Sequence, residues 1–327
     1  MSTRRDLLVA LGAGLAWPRA VFAQAPPGKV PRIGFLGVPA AAGMERHVAS
    51  MRDGLKEHGY VEGRNIAIEW RWSGSDRQRL AEMAAELVRM KVDIIVTHAT
   101  PGTRAAMNAT KTIPIIMALN GDPVAMGAVA SLARPGGNVT GSSFFHAELA
   151  TKRLDLLKQL FPRTRQVGVL VNPDNASHPV FVKEIEPTAQ ALKLELQTFG
   201  ARNGAELERA IAAMAAARVD AALVFEDPVF ISGAKAVATL LAKHRLRSIG
   251  FNEIAEQGGL LGYGVNLAAM WRNVGWFVDR ILKGGNPAEI PIERATKFEM
   301  VINRGAAKAL GIRFPQSVLQ RADRVIE

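Results

Sequence analysis

From Arg32 onward, short apolar, β-branched runs alternate with longer stretches whose apolar positions recur every three or four residues. The first pattern suits buried strands, the second helices with one apolar face. RIGFLGV, NIAIEWRW, VDIIVTHAT and IPIIMAL read as strands, VDIIVTHAT with a loop at its end. Between them, MERHVASMRDGLKEHGY places Val48, Met51 and Leu55 on one helical face and stops at Gly59. DRQRLAEMAAELVRMK is amphipathic with Asp76 near its start. GTRAAMNAT predicts a short helix opening at Gly102 and Thr103, and PVAMGAVASLA predicts another. Strand, helix and strand joined by short links imply right-handed crossovers and a parallel sheet.

The same grammar then restarts. ELATKRLDLLKQLFP is a helix with Leu154, Leu157 and Leu160 inward. QVGVLVNP, ELQTFGA and VDAALVFED read as strands, and EIEPTAQALKL, AELERAIAAMAAAR and GAKAVATLLAKHRL as helices. QVGVLVNP mirrors RIGFLGVP, with Gly168 in the place of Gly34, and VDAALVF echoes VDIIVTH. The tail adds a glycine-punctuated strand, GGLLGYGVN, and a long helix, LAAMWRNVGWFVDRILKGG, with a Gly-Gly stop. KFEMVINRGAAKALGI then predicts a strand and short helix, and PQSVLQRADRVIE a last helix. Trp271 and Trp276, five apart on the long helix, read as packing residues. The predicted fold class is α/β: two Rossmann-like lobes with parallel sheets, joined by a hinge that the chain crosses several times. The expected lobes are 30–144 plus 266–296, and 145–265 plus 297–327, with a cleft between them.

Composition narrows the function. The formal charge is +11, but the basic residues form no run and aromatics are 6%, so no nucleic-acid partner is expected. There is no cysteine, which removes disulfides and thiolate chemistry. The opening MSTRRDLLVALGAGLAWPRAVFA has a paired arginine, a short apolar stretch and small residues at Val21 and Ala23. This is a signal-peptide pattern, 1–23, with cleavage expected after Ala23 and a resemblance to the twin-arginine type. Its apolar stretch of about 11 residues is too short for a span of about 20.

LARPGGNVTG, residues 132–141, invites comparison with a phosphate-cradling loop. Such a loop joins a strand to a helix. This one is expected to close a helix and feed the strand NVTGSSF, so no nucleotide cofactor is predicted. Gly-x-Ser-x-Gly, His-Glu-x-x-His and a Walker pattern are absent, and the six histidines never pair at metal spacing.

GDPVAMGAVASLARPGGNVTG, with VDIIVTHATPGTRAAMNATKTIPIIM before it and GGLLGYGVNLAAMWRNVGWFVDRILKGG after it, resembles the substrate-binding protein family of ABC transporters, TrpX-like proteins among them. The resemblance covers residues 30 to 327. It implies a type I periplasmic-binding fold with three hinge crossings and a small ligand closed between two lobes. It also implies a membrane permease and an ATPase as partners, and ligands among aromatic or other amino acids. The chain departs from the family at Tyr263-Gly264-Val265-Asn266, where many members read Tyr-Gly-Pro then Asp or Ser. It departs again at Met270-Trp271-Arg272-Asn273, where Tyr-Arg-Arg is usual. The expected product is a periplasmic monomer that captures a small ligand for import, without a cofactor or catalysis. An extracytoplasmic sensing module is the alternative.

Open α/β sheets bind ligands beyond the carboxyl ends of their strands. That rule selects Val38, Pro39 and Ala40; His98, Ala99, Thr100, Pro101 and Thr103; and Asn120, Gly121 and Asp122. In the second half it selects Asn172, Asp174 and Asn175; Glu226, Asp227 and Phe230; Asn252 and Glu253; and Tyr263 and Asn266 on the crossing. Thr100, Thr103 and helix-start amides suit a carboxylate. Asp227 or Glu226 suits an ammonium, and Tyr263 or Phe230 an aromatic side chain. Asp122 and Asp227, each before a proline, are equally helix caps by pattern. Asn172 and Asp174 are equally turn residues, and His98 a polar loop residue.

Overall fold

The computed structural model describes residues 30–327, so the predicted leader lies outside the described residues. The first half runs β1 (Arg32–Gly37), α1 (Glu45–Glu57), β2 (Ala67–Trp72), α2 (Arg77–Arg89), β3 (Ile94–Thr97), α3 (Ala99–Ala109), β4 (Ile115–Asn120) and β5 (Val139–Ser143). Then follow α4 (His146–Leu160), β6 (Gln166–Val171), α5 (His178–Ala191), β7 (Glu195–Gly200), α6 (Gly204–Ala216) and β8 (Ala221–Val224). The short helices α7 (Pro228–Ser232) and α9 (Asn252–Glu256) flank α8 (Ala234–Lys243) and β9 (Arg247–Gly250), and β10 is Leu261–Val265. Last come α10 (Leu267–Leu282), β11 (Glu293–Arg294), β12 (Phe298–Asn303), α11 (Arg304–Ala309), α12 (Gln316–Leu319) and β13 (Arg324–Ile326).

Two sheets result. One has the order β11-β5-β4-β3-β1-β2, the other β13-β12-β10-β9-β8-β6-β7. All pairings are parallel except β10 with β12. The chain therefore passes between sheets at 144–145, at 266 and at 295–297. The echo between the halves has a packing cause. A Cβ on Gly34 would stand 2.9 Å from Leu87 on α2, and one on Gly168 3.2 Å from Met214 on α6. Each glycine lets a helix settle close on its central strand.

Local chemistry sets the helix starts. Asp76, Asn203, Asn266 and Asn303 accept the amides of Arg79, Glu206, Ala269 and Ala306, as N-caps do. Trp271 and Phe277, on α10, are fully buried with Phe35 in the first lobe's core.

Four expectations change. Residues 123–133 form turns rather than a helix: Asp122 Oδ1 takes the amides of Val124 and Ala125, and Gly127 turns away at φ +73°. The glycine stretch thus follows turns, although it does feed β5. Helix α3 starts at Ala99, not Gly102, from a left-handed φ of +57°. Helix α5 starts at His178, earlier than its apolar pattern suggested. The final helix shrinks to α12, because Asp323 exchanges backbone and side-chain hydrogen bonds with Met300 and aligns β13 along β12. Strand β9 and helix α9 had no predicted counterpart.

Candidate functional site

The ends of the central strands in both sheets face one another, as the strand-end rule requires. Between them is a cavity of about 20 Å³. The first sheet's side supplies His98, Ala99, Thr100, Leu119, Gly121 and Phe144. The second supplies Asn175, Phe181, Glu226, Asp227, Pro228 and Ile231. The hydroxyls of Thr100 and Ser177 meet across it at 2.8 Å. At the rim, Arg46 on α1 pairs with Glu256 on α9 at 2.6 Å. A larger concavity of about 910 Å³ is an open groove beside α11 and α12, lined from the second lobe alone. No residue of the first sheet's side lines it, so it does not lie between the sheets.

Seven predicted residues come together here: His98, Ala99, Thr100, Gly121, Asn175, Glu226 and Asp227. Their side chains are not equally available. Asp227 accepts from Asn172 Nδ2 and Asn175 Nδ2, both at 3.0 Å, and from Val229 N at 2.9 Å. It is the N-cap of α7 and the anchor of the loop after β6. Glu226 is held by Arg153, whose Nη1 donates to Oε2 at 3.0 Å and whose Nη2 donates to Oε1. His146 Nδ1 stands 3.0 Å from the same carboxylate. Burial pushes the Glu226 carboxyl up, but Arg153 and His146 outweigh it and hold it well below the carboxylate range. Neither acid presents an unspent carboxylate for an ammonium.

The other predicted residues lie off the cavity lining. Pro39 is buried and Ala40 exposed, beyond β1. Thr103 donates to Ala99 O and accepts from Asn120, which also donates toward Met126 Sδ and accepts Asp122 N. Asp122 caps its own turn. Phe230 is wholly in the core. Tyr263 stacks on Phe298 with centroids 6.4 Å apart, and its carbonyl accepts Arg153 Nε at 2.7 Å. Asn266 is exposed as the cap of α10 and lines a separate hollow of about 290 Å³ near the crossings.

His98 is buried, and its Nε2 accepts Val38 N at 3.3 Å. Burial, reinforced by His47, pushes its pKa down to about 3. His178 Nδ1 accepts Asn172 N at 2.8 Å, which assigns the ring proton to Nε2, 3.3 Å from the Glu226 carbonyl. Burial lowers its pKa to about 4. Both are neutral positioning groups near pH 7.

Strand-end reasoning missed Arg153, His146, His178, Ser177, Phe144 and Phe181. Arg153 did leave a signal: it falls on the buried face of α4 with Leu149, Ala150, Leu154 and Leu157. A charged residue on an apolar helix face needs a partner.

No helix among the described residues is long and apolar enough to cross a membrane. A tyrosine-binding protein of Clostridioides difficile (strain R20291) is 30% identical over 257 residues, 78% of this chain and 74% of that protein. The crystal structure of an ABC domain in complex with L-Trp from Streptococcus pneumoniae is 30% identical, covers 90% of this chain and 99% of its own, and superposes with a TM-score of 0.83. The ligand-free, open structure of a substrate-binding protein with adhesive properties from Clostridium difficile is 26% identical and covers 91% of this chain and 99% of its own, with a TM-score of 0.64. The two-lobed architecture is thus the type I periplasmic-binding fold. The family described as ABC transporter substrate binding protein matches residues 36–326. The chain belongs to that family, and it is a substrate-binding protein of an ABC transporter.

Proposed function

We propose that this protein is exported, loses residues 1–23, and works in the periplasm as a monomer. It captures a small ligand, an amino acid or a small aromatic or carboxylate compound, between lobes 30–144 plus 266–296 and 145–265 plus 297–327. It then delivers the ligand to a permease driven by an ATPase, with no cofactor and no chemistry of its own. The observation that carries this reading is the cavity lined from both lobes, with Phe144 and Phe181 in its wall and Thr100 touching Ser177 across it. The relatives named for tyrosine and L-Trp favour an aromatic amino acid.

A cavity of about 20 Å³ is of the order of one water, far below the volume of an aromatic amino acid. Admission therefore requires the lobes to part about the three crossings, and ligand contacts then select the closed form. The similarity pattern agrees: at near-equal coverage the chain superposes better on the L-Trp complex than on the open structure. The test is a thermal-shift screen of the purified protein against amino acids, aromatic acids and nucleosides. A ligand at a hundredfold excess over Kd stabilises by about 2.7 kcal/mol. A shift confined to nucleosides, or to no compound, would overturn the ligand class.

A further inference from the structure

We infer that the ligand's protonated amine is received at a second polar corner of the cleft, built from His47, Asn252, Glu253 and Trp271. This rests on the interlobe binding reading and deepens it, because it makes the ligand an amino acid rather than a bare carboxylate.

The warrant is a cluster of buried polar atoms that have no hydrogen-bond partner among the described residues. They are both ring nitrogens of His47, Asn252 Oδ1, Glu253 Oε2 and Trp271 Nε1. All four residues are more than nine-tenths buried, at 3%, 3%, 7% and 0% exposure. They converge from both lobes. His47 on α1 and Trp271 on α10 have ring centroids 5.6 Å apart. His47 Nε2 is 3.9 Å from Glu253 Oε1 on α9, across the lobe boundary. Such atoms are rare in folded proteins, because each costs its desolvation without return. A cluster drawn from two lobes that close on a ligand points to groups the ligand itself satisfies.

The chemistry of the atoms selects the ligand group. Asn252 Nδ2 reaches Val265 O at 3.5 Å, which orients its Oδ1 as the free acceptor. Asn252 Oδ1 and the adjacent Glu253 carboxylate are two acceptors, one able to carry charge, and they suit an ammonium. Trp271 Nε1 only donates, so it suits a carboxylate oxygen. Asp227 and Glu226, the acids that strand-end logic chose, are already saturated. Burial pushes the Glu253 carboxyl up to about 7. A hydrogen bond from its own backbone amide and the charge of Arg46 oppose this, while Glu256 and Glu226 push the same way as burial. His47 is pushed down to about 4, by burial first and then Arg46. It is therefore neutral near pH 7 and leaves the cationic role to the ligand.

Isothermal titration calorimetry with three pairs of probes tests this. The probes are L-tyrosine and L-tryptophan, their decarboxylated amines tyramine and tryptamine, and the deaminated acids 3-(4-hydroxyphenyl)propionate and indole-3-propionate. The wild-type protein should bind the amine-bearing probes about tenfold or more tighter than the deaminated acids, the scale of one charge-assisted hydrogen bond. Glu253→Gln should erase that preference while leaving the deaminated acids unchanged. Trp271→Phe, which keeps an aromatic ring but removes the Nε1 donor, should weaken the amino acids but not the amines. Affinity for L-tyrosine should fall below pH about 7 as Glu253 takes up a proton, and the deaminated acid should not follow. Deaminated acids binding as tightly as the amino acids would overturn this corner's role and leave the interlobe reading standing. Equal loss for every probe in Glu253→Gln would also overturn it, by showing a structural role. Binding of no probe would overturn the aromatic ligand class and this inference together.

Discussion

Gly43, at the rim of the first lobe, lies against the carbonyl of Ser232 in the second. A methyl group on Gly43 would stand 2.2 Å from Ser232 O, and the residue holds φ at +85°. Only a residue without Cβ permits both the left-handed backbone and this approach. Gly43→Ala should therefore keep the lobes from meeting while each still folds. The expected outcome is a larger radius of gyration by small-angle scattering in the presence of ligand. At least tenfold weaker binding should accompany it, with a nearly unchanged circular dichroism spectrum. An unchanged radius and affinity would show that the contact is incidental.

Arg153 holds Glu226 where α4, β8 and β10 meet, with its Nε on the Tyr263 carbonyl. Both side chains are almost wholly buried. Removing one partner leaves a buried charge unpaired, which costs about 3–5 kcal/mol. Arg153→Met should lower stability on that scale in urea denaturation, and Glu226→Gln should do likewise. The double replacement Arg153→Met with Glu226→Leu should recover much of the loss, because apolar pairs often replace buried ion pairs well.

Asp227→Ala removes the cap of α7 and strips two buried amides, Asn172 and Asn175, of their acceptor. The loss should reach about 2 kcal/mol or more, from a cap worth about 1 kcal/mol and unsatisfied donors. Chemical denaturation measures it. Any fall in ligand affinity should track a disordered loop at 172–178 rather than a lost ligand contact, which hydrogen exchange of that loop would reveal.

At the crossing of α1 and α10, a Cβ on Gly54 would lie 1.8 Å from Arg272 O, and one on Gly275 2.2 Å from Gly54. Two helices touch backbone to backbone there, a site without room for one methylene. Gly54→Ala or Gly275→Ala should destabilise by about 1–3 kcal/mol or more, the cost of overpacking. Thermal melting in the absence of ligand is the check.

Stability should fall in mild acid. His47, His98 and His178 are pushed down by burial to about 4, 3 and 4. Their folded values lie below the unfolded value of about 6.5, so the unfolded chain binds more protons as pH falls. The stability they contribute is present above pH about 6.5 and is lost as pH falls toward their folded values. Glu253 runs the other way: its folded value, about 7, exceeds the unfolded value of about 4.3. Its contribution is present at low pH and is lost as pH rises through about 7. Three imidazoles against one carboxyl leave a net loss of stability as pH falls below about 6.5, and the lowered Glu226 carboxyl acts in the same direction. Urea midpoints across that range measure it.

The fold was legible in the residues. Apolar periodicity separated strands from helices, and the echo of RIGFLGVP in QVGVLVNP announced two similar halves. Periodicity misled where special backbone chemistry took over. PVAMGAVASLA has helical spacing, yet Asp122 and Gly127 turn it, and the tail's helical pattern yields to the Asp323 clasp on Met300.

By itself the sequence determined the fold class, most of the order of elements and which loops lie at the strand ends, because these follow from local periodicity and short links. Only the tertiary structure decided which acids were free. Asp227 and Glu226 look alike in sequence, and both are consumed by partners 52 to 73 residues away. Glu253 Oε2, both His47 ring nitrogens and Trp271 Nε1, from separate helices, have no hydrogen-bond partner among the described residues. Hydrogen-bond satisfaction is a property of long-range neighbours, and no spacing along the chain records it.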